Sequence, residues 1–590
     1  MKDRHAVRAG CFLACSLVAG FAGIYGLPFL FPNSHPAFSQ SYVVGYNNRV
    51  AVASVVLISV LVALFSPRLL GGGAGEFTRS RAVPWPWLAG VLVLVAAWNG
   101  GLSWLVFTAH DYGVEDYYFL PQLEKVYYLH LHLYRDVEFA YGQLLFYPPV
   151  WFHWLLTPFH VSLRAAYYMA MVMNHLLGLA MLYFIVNRLP MPRHMRVAAF
   201  VSVALFSFNF ALGPNYTLLR YMLPVFCFVL FSRIERPLAA TGFVVVGQIL
   251  IWMDSSEQAI AFCFSVVVYG CYRAWRQGPL WILPIAGAMV GTMLYLGVVD
   301  RSVLSSLIHM SGGAGNLVPQ LSIEVPVLLI ATVWLVPWLV ACHVSRDTPL
   351  AGLLLGLYAF GLGLLPVSLG SSGIVRIAGA SAVLFLLSLA AAAQRGLIIR
   401  GAWTAAISAT YLLMVLRWYA DAHHRFYPDV ARVGRTAPLV AKMPPALASR
   451  FTAFEGRWGF EDPPLDVDLL HAAIGDAPFE TPFAMPEIVE EKLPQLPNFV
   501  PSYFSGTINL WNGAVEQQKV DELRRVDYAL LRGKPMRVPI DANWDVRFGI
   551  HTHYRAVHPM FEPGELPDEL NQNWTPAGSI GKYLLYRRVR

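Results

Sequence analysis

Residues 238–272 read LAATGFVVVGQILIWMDSSEQAIAFCFSVVVYGCY, which is two apolar runs joined by the short polar stretch Asp254 to Glu257. Neither run contains an acidic or basic side chain. In a bilayer the backbone N–H and C=O groups of a segment must be satisfied within it, so such a run forms a helix. The pair therefore predicts a helical hairpin that turns at one membrane surface, with its acids at the turn.

Apolar runs of this kind recur along most of the chain. Of the 590 residues, 56% are hydrophobic and only 13% are charged, and the mean hydropathy is +0.50. Soluble domains carry about 25% charged residues, so most of this chain belongs in lipid. Runs of near-spanning length predict about thirteen transmembrane helices, at 9–30, 48–66, 86–108, 163–186, 197–213, 216–232, 238–253, 258–272, 279–299, 325–343, 349–368, 374–393 and 401–420.

The basic residues predict the orientation. With a cytoplasmic N-terminus, the segments on the cytoplasmic side hold 16 Lys and Arg, and those on the outer side hold 8. This asymmetry follows the positive-inside rule. We expect a multi-pass protein of the cell inner (plasma) membrane whose C-terminal domain is periplasmic or extracytoplasmic. Because the positive charge belongs to the membrane region, it does not indicate a nucleic-acid partner.

The chain divides into three predicted parts, which make it an α-helical polytopic membrane protein with a C-terminal mixed α/β soluble domain. Residues 1–85 hold two N-terminal transmembrane helices. Residues 86–420 form the main transmembrane region, whose outer loop, 109–162, includes a proline-bearing apolar segment (144–160) that we interpret as interfacial. Residues 421–590 alternate strand-like runs, such as 526–531 and 582–586, with helical signals, and we expect an accessory domain.

Carboxylates concentrate on the predicted outer side. Residues 1–420 hold 14 Asp and Glu; ten fall in outer segments and six of these lie within 109–143. Acids near a bilayer are costly unless paired, so they are functional candidates. Within the loop, 115–134 predicts an amphipathic interfacial helix with Leu120, Leu123 and Val126 on one side and Glu124 and Lys125 on the other.

This arrangement resembles the C-type (GT-C) superfamily of glycosyltransferases, which take a sugar from a polyprenyl-phosphate carrier. The likeness covers roughly 86–420, and it is one of placement. An acidic pair follows a transmembrane run, an acidic–aromatic stretch leads to Pro-Pro, and polar residues mark outer helix ends. These features are Glu115-Asp116, Tyr134 to Phe139, Tyr147-Pro148-Pro149, Asn215 to Arg220, Asp254 to Gln258, and Ser368-Leu369-Gly370 through Arg376.

The resemblance implies transfer of a sugar to an acceptor hydroxyl at the outer face, with inversion at the anomeric carbon. It implies a catalytic carboxylate among Glu115, Asp116 and Asp111. The pair is Glu-Asp where the family has Asp-Glu, which leaves open which member is the base. Phosphate-binding candidates at outer helix ends are Arg220, Arg376 and Arg301; candidates that orient the acceptor are Asp136, Glu138 and Glu257. The acceptor is a lipid, a glycan or a protein.

Other interpretations of these residues stay open. Glu115 and Asp116 also suit the first turn of a helix, where acids are favourable. Ser255 and Gln258 fit a capping box, which makes Asp254 and Glu257 solvated helix-end acids. Arginines near a membrane also snorkel to lipid headgroups.

Alternatives for the activity also stay open. No cofactor is certain, and a divalent metal is an alternative because His110, His130 and His132 lie near the acids. A multi-spanning transporter or flippase of lipid-linked glycans, or a glycan ligase, is the alternative function.

Overall fold

The structure of the protein is a computed structural model that describes much of the first 393 residues and separate stretches of the C-terminal region. The described residues are 2–32, 46–70, 82–95, 116–137, 139, 141–206, 217–299, 301, 303–304, 324–370, 379–393, 465–481, 496, 498–500, 517, 520–531, 565–581 and 583–589.

Six described helices are long and apolar enough to cross a membrane, which identifies a membrane protein. They are Asn48–Ser66, Leu163–Val186, Pro237–Asp254, Pro279–Val298, Val325–Ser345 and Ala351–Gly370. Shorter apolar helices are Cys11–Tyr25, Leu218–Phe231 and Ala382–Ala392. The total of about thirteen spans stays a prediction, because the run at 401–420 and parts of others lie outside the described residues.

The described helices before residue 160 belong to an N-terminal hairpin, to the start of the main transmembrane region and to the loop. They are α1 (Lys2–Tyr25), α2 (Leu27–Leu30), α3 (Asn48–Leu70), α4 (Trp85–Val95), α5 (Asp116–Tyr128), α6 (Gln143–Phe146) and α7 (Pro148–Leu156), followed by a 3₁₀ turn at Thr157–Phe159.

The bundle that follows contains the helices around the candidate site. They are α8 (Leu163–Val186), α9 (Arg193–Phe206), α10 (Leu218–Phe231), α11 (Pro237–Asp254), α12 (Ser256–Gln277), α13 (Leu283–Leu294), α14 (Glu324–Leu329), α15 (Val336–Ser345), α16 (Ala351–Gly363), α17 (Leu365–Gly370) and α18 (Ala382–Ala392). A 3₁₀ turn at Pro279–Ile282 precedes α13, and π-helical turns lie at Tyr295–Val299 and Ile330–Leu335.

The N-terminal hairpin belongs to the same core as the bundle. Helices α1 and α3 pack against each other, and α3 packs on α15. The Ser59 hydroxyl on α3 contacts the Thr332 carbonyl and the Tyr358 hydroxyl, all three buried. Thr332 lies in a π-helical turn, where the wider winding changes the helical hydrogen-bond pattern. One hydrophobic core therefore runs from α1 to α18.

Helix α8 extends well beyond its neighbour α10. Gly178 packs on the backbone of Leu218 and Leu219 so closely that an added Cβ would lie 2.4 Å from the Leu219 nitrogen. Because an α-helix rises 1.5 Å per residue, the part of α8 before Gly178 projects about 22 Å past the start of α10. The loop packs on this projecting part, through contacts of α5 and α7 with α8. The start of α10 therefore lies well below the start of α8, where Tyr141 of the loop contacts Arg220.

The proline-bearing segment of the loop is divided into short helices. Helix α7 has nine residues, so it is about 14 Å long, far less than a bilayer core. It ends in a 3₁₀ turn and His160, whose φ is 54°. Trp151, Trp154 and Phe159 are exposed. This shape suits a segment that lies at a membrane surface, where aromatic rings are favoured.

The C-terminal region contains a five-stranded sheet in the order β2-β1-β3-β5-β4. Its strands are β1 (Phe479–Glu480), β2 (Phe499–Val500), β3 (Tyr528–Leu531), β4 (Trp574–Ile580) and β5 (Tyr583–Arg588), and its helices are α19 (Val467–Ile474) and α20 (Glu565–Asn573). Strands β2, β1 and β3 are parallel, and β5 pairs antiparallel with β3 and β4. The strand-like runs of the sequence are thus confirmed as β3 and β5.

The two ends of the helical bundle differ in charge. The end that carries residues 116–161, which we call the loop end, includes the start of α10 and the junction between α11 and α12. Arginines gather at the opposite, arginine-rich end, where Arg276 pairs with Asp347 and Arg273 lies 4.0 Å from the centre of the Trp281 ring. The others there are Arg188, Arg193, Arg196, Arg233, Arg236 and Arg346.

The loop is held to the bundle by a close backbone contact at Gly142. Its N–H donates to the carbonyl of Asp254 at 3.0 Å. A Cβ at this position would lie 2.1 Å from the Met253 carbonyl oxygen. We expect Gly142→Ala to destabilise the protein by about 1–3 kcal/mol, because the loop must move away from α11. The apparent Tm of the detergent-purified protein measures this.

Gly242 in α11 is the matched control for Gly142. A Cβ there meets nothing within 4 Å. Alanine is the better helix former by about 1 kcal/mol, so Gly242→Ala should keep or raise the Tm. Equal effects of the two substitutions would show that the loop is not docked through Gly142.

Candidate functional site

The candidate site is built on the sharp turn between α11 and α12. Helix α11 ends at Asp254 and α12 begins at Ser256, with Ser255 extended between them at φ −160° and ψ 124°. The N–H of Ser255 donates to the carbonyl of Ile251 at 2.7 Å, and its carbonyl accepts from Ala259 at 3.0 Å. One residue thus closes one helix and opens the next, which brings the polar stretch of the sequence to the loop end.

The guanidinium of Arg220 is the centre of this site. Arg220 lies in the first turn of α10, and only 4% of its side chain is exposed. Its Nε donates to Ser255 Oγ at 3.2 Å, and its Nη2 pairs with the carboxylate of Glu257. A buried charge is costly unless it is paired and hydrogen-bonded, and this one is both.

Two tyrosine rings complete the surroundings of Arg220. The guanidinium carbon lies 4.5 Å from the ring centre of Tyr141 and 5.3 Å from that of Tyr221. Aromatic faces attract a guanidinium, more strongly where water is excluded. We call Tyr141, Arg220, Tyr221, Asp254, Ser255 and Glu257 the Arg220 cluster.

The prediction of a capping box at this turn is wrong. Ser255 is the N-cap of α12, but its side chain makes no capping hydrogen bond. Its hydroxyl accepts from Arg220 instead. The Ser255 oxygen accepts from the guanidinium and not from a backbone N–H of α12, because hydrogen bonds from ionised donors are about twice as strong as those from neutral ones.

Asp254 is buried, which corrects its interpretation as a solvated helix-end acid. Its exposure is 1%, and within the described part of the chain neither carboxylate oxygen has a hydrogen-bond partner. The positive charge of Arg220 acts on it electrostatically. Burial without a hydrogen bond is unfavourable for a carboxylate, so a structural role alone does not explain this residue.

The cluster connects to the helix that begins at a predicted catalytic acid. Tyr141 stacks on Phe119 with ring centres 5.9 Å apart, and Phe139 contacts both rings. Phe119 lies one turn after Asp116, the first residue of α5. The first turn of α5 is therefore separated from Arg220 by a short aromatic stack.

Helix α5 is buried on more sides than the sequence suggests. The prediction that Glu124 and Lys125 form its solvent side is wrong, because both are buried. The Glu124 carboxylate pairs with Arg164 Nε of α8 at 2.6 Å. The Lys125 ammonium lies 5.0 Å from the ring centre of Phe499, and Tyr128 and Leu129 pack on the same cluster of the C-terminal domain. This domain therefore docks directly on α5.

The remaining predicted site residues fall in several places. Glu115, Asp111, Glu138 and Arg376 lie outside the described residues, and so does the side chain of Asp116. Arg301 is exposed and donates to the carbonyl of Gly297 at 3.2 Å, within its own segment. Of the nine predicted residues, the structure brings together Arg220 and Glu257.

Asp136 belongs to a separate turn of the loop. Its carboxylate accepts from the His132 N–H at 2.8 Å and pairs with Arg135. The Arg135 guanidinium, through its hydrogen bond, holds the pKa of Asp136 below its usual value. Any stability this contributes is present above the ordinary carboxyl pKa and is lost as the pH falls through the lowered one.

Sequence reasoning missed three members of the cluster: Tyr141, Tyr221 and the Ser255 hydroxyl as a partner of Arg220. The Tyr-Gly pair at 141–142 is the signal available for the first, because a glycine next to an aromatic residue permits close backbone approach. Across the described residues, no group of three or more His, Cys, Asp and Glu side chains is placed to hold a metal ion. His110 lies outside those residues, so the divalent metal stays open.

Comparison with protein-family models and with curated proteins gives no match to this chain. The resemblance to the GT-C superfamily thus rests on residue placement.

The Glu124–Arg164 pair should carry stability that the Asp136–Arg135 pair does not. In Glu124→Ala the largely buried Arg164 loses the Glu124 carboxylate, and we expect the free energy of unfolding to fall by about 3 kcal/mol. Asp136→Ala removes a surface ion pair and the hydrogen bond from the His132 N–H, and should lower the free energy of unfolding by no more than about 1 kcal/mol. Thermal unfolding of both variants tests this. A Tm for Glu124→Ala equal to that of the wild type would contradict the burial of α5.

Asp254→Asn should leave the protein as stable as the wild type, or make it more stable. The amide has the same shape, no hydrogen bond is lost, and the cost of burying a charge disappears. The loss of attraction to Arg220 opposes this gain. The measurement is again the apparent Tm in detergent. A fall of several degrees would show that Asp254 is retained for stability, and would remove it from the candidate site.

Proposed function

We propose that the chain is a membrane glycosyltransferase that moves a sugar from a polyprenyl-phosphate carrier to an acceptor hydroxyl. The observation that carries the proposal is the Arg220 cluster. A buried, aromatic-flanked guanidinium lies at the loop end of an apolar bundle, under a loop whose helix α5 begins at a predicted catalytic acid.

Arg220 is suited to hold the phosphate of a lipid carrier. Its planar fork matches the geometry of phosphate oxygens. The site lies where the membrane-spanning helix Pro237–Asp254 ends. A phosphate there has its lipid chain in the bilayer and its sugar toward the loop.

The proposed chemistry is a direct displacement at the anomeric carbon. The acceptor oxygen forms the new bond to that carbon while the bond from carbon to phosphate oxygen breaks. The leaving electron pair stays on the phosphate, where the positive charge of Arg220 stabilises it. The acceptor proton passes to a carboxylate, for which we propose Glu115 or Asp116. Asp111 is the further base candidate. We propose that the residues that orient the acceptor are Asp136, Glu138 and Glu257.

We propose that the loop end faces outward. The arginines gathered at the opposite end favour a cytoplasmic location for it under the positive-inside rule. The C-terminal domain then lies outside the cell inner membrane, docked on α5 through Lys125 and Phe499. Its position above the loop suits a role in covering the site or binding the acceptor.

The protein reconstituted in vesicles with a panel of polyprenyl-phosphate sugars tests this proposal, with release of polyprenyl phosphate as the measurement. Glu115→Gln or Asp116→Asn should lower the rate by about 10²–10⁴-fold, because one of them is the base. Arg220→Lys keeps the charge but loses the fork, and we expect a loss of about tenfold or more.

Arg276→Gln is the matched control. Arg276 also pairs with a carboxylate, that of Asp347, but at the arginine-rich end. The transfer rate of Arg276→Gln should equal that of the wild type. Full transfer activity in both acid variants and in Arg220→Lys, with each protein folded, would refute the proposed function.

A further inference from the structure

The ion pair between Arg220 and Glu257 is unequal in its exposure. Only 4% of the Arg220 side chain is exposed, whereas 24% of the Glu257 side chain is. Glu257 lies in the first turn of α12, where the helix dipole favours a negative charge with or without Arg220. The carboxylate is therefore the partner that can leave, and the guanidinium is the one that stays.

The other contacts described for Arg220 do not depend on Glu257. Ser255 Oγ holds Nε at 3.2 Å, and Tyr141 and Tyr221 lie against the guanidinium. The Tyr141 contact is fixed in turn by the backbone bond from Gly142 to Asp254. The guanidinium thus keeps its position when Glu257 moves, with Nη2 directed at the more exposed side of the cluster.

The exchange of Glu257 for a phosphodiester preserves the charge of the site. A lipid-linked sugar phosphate is a diester with one negative charge, as is the carboxylate. The product, a phosphate monoester, carries about −1.5 to −2 at pH 7. A buried site whose charges balance one negative charge binds the diester more readily than the monoester. The buried Asp254 also lies within electrostatic reach of Arg220.

We propose that Glu257 is an internal anion that occupies the phosphate site at Arg220 until a lipid-linked phosphate displaces it. This inference rests on the proposed function for the identity of the ligand, a phosphate ester carried by a polyprenyl chain. The displaced carboxylate leaves Arg220, keeps the Ser256 hydroxyl within 3.4 Å, and can accept a hydrogen bond from an acceptor hydroxyl. Donor then binds before acceptor, and the return of Glu257 to Arg220 expels the product phosphate.

Binding of polyprenyl phosphate to the full-length protein in nanodiscs tests the exchange. Glu257→Gln removes the competing charge and should bind polyprenyl phosphate about tenfold more tightly than the wild type. Glu257→Asp holds its carboxylate one methylene further back and should bind with an intermediate affinity. Arg220→Gln should lose at least tenfold. Asp347→Asn, which removes the matching carboxylate at the arginine-rich end, should bind as the wild type does.

Three further ligands identify what the site recognises. Polyprenol without phosphate should bind at least tenfold more weakly in the wild type, and equally well in the wild type and Glu257→Gln. Inorganic phosphate and vesicles of phosphatidylglycerol should not compete at equal concentration. Equal competition by free phosphate, or by the anionic lipid, would overturn recognition of a lipid-carried phosphate ester.

The outcomes separate this inference from the proposed function. Tighter binding in Glu257→Gln without sugar transfer by any variant supports the exchange and refutes the transferase. Sugar transfer by the wild type, with unchanged or weaker binding in both Glu257→Gln and Glu257→Asp, supports the transferase and refutes the exchange.

Discussion

A buried guanidinium constrains its whole neighbourhood, because a positive charge in an apolar bundle needs partners on every side. Arg220 takes them from three separate parts of the chain: Glu257 and Ser255 at the turn between α11 and α12, Tyr221 beside it on α10, and Tyr141 in the loop. The turn, the start of α10 and the loop are consequently held in one arrangement. The interaction that satisfies the charge also assembles the site.

The loop is attached to the bundle at two levels. Near Arg220, Gly142 lies against the end of α11, and the rings of Phe119, Phe139 and Tyr141 pack together. Higher along α8, the Glu124–Arg164 pair fixes α5. Both attachments are made at the loop end of the bundle, where α10 begins.

The C-terminal domain adds a third layer to this arrangement. Its Phe499 lies against Lys125, and its core extends to Tyr128 and Leu129 of α5. The C-terminal domain thus contacts the same helix that begins at Asp116. In the proposed transferase, α5 links this domain to the candidate base.

The sequence by itself determined the helical membrane character, the hairpin at Asp254 to Glu257, the strands at 528–531 and 583–588, and the acidic loop. These follow from local hydropathy and alternation, which depend on neighbours in the chain. Only the tertiary structure decided that Glu124 and Lys125 are buried, that the Ser255 hydroxyl binds Arg220 instead of capping α12, and that Asp254 is enclosed. Each of these outcomes depends on a partner distant in sequence, such as Arg164, Phe499 or Arg220. Local pattern cannot supply such a partner, because the energy of a charge depends on what folding places around it.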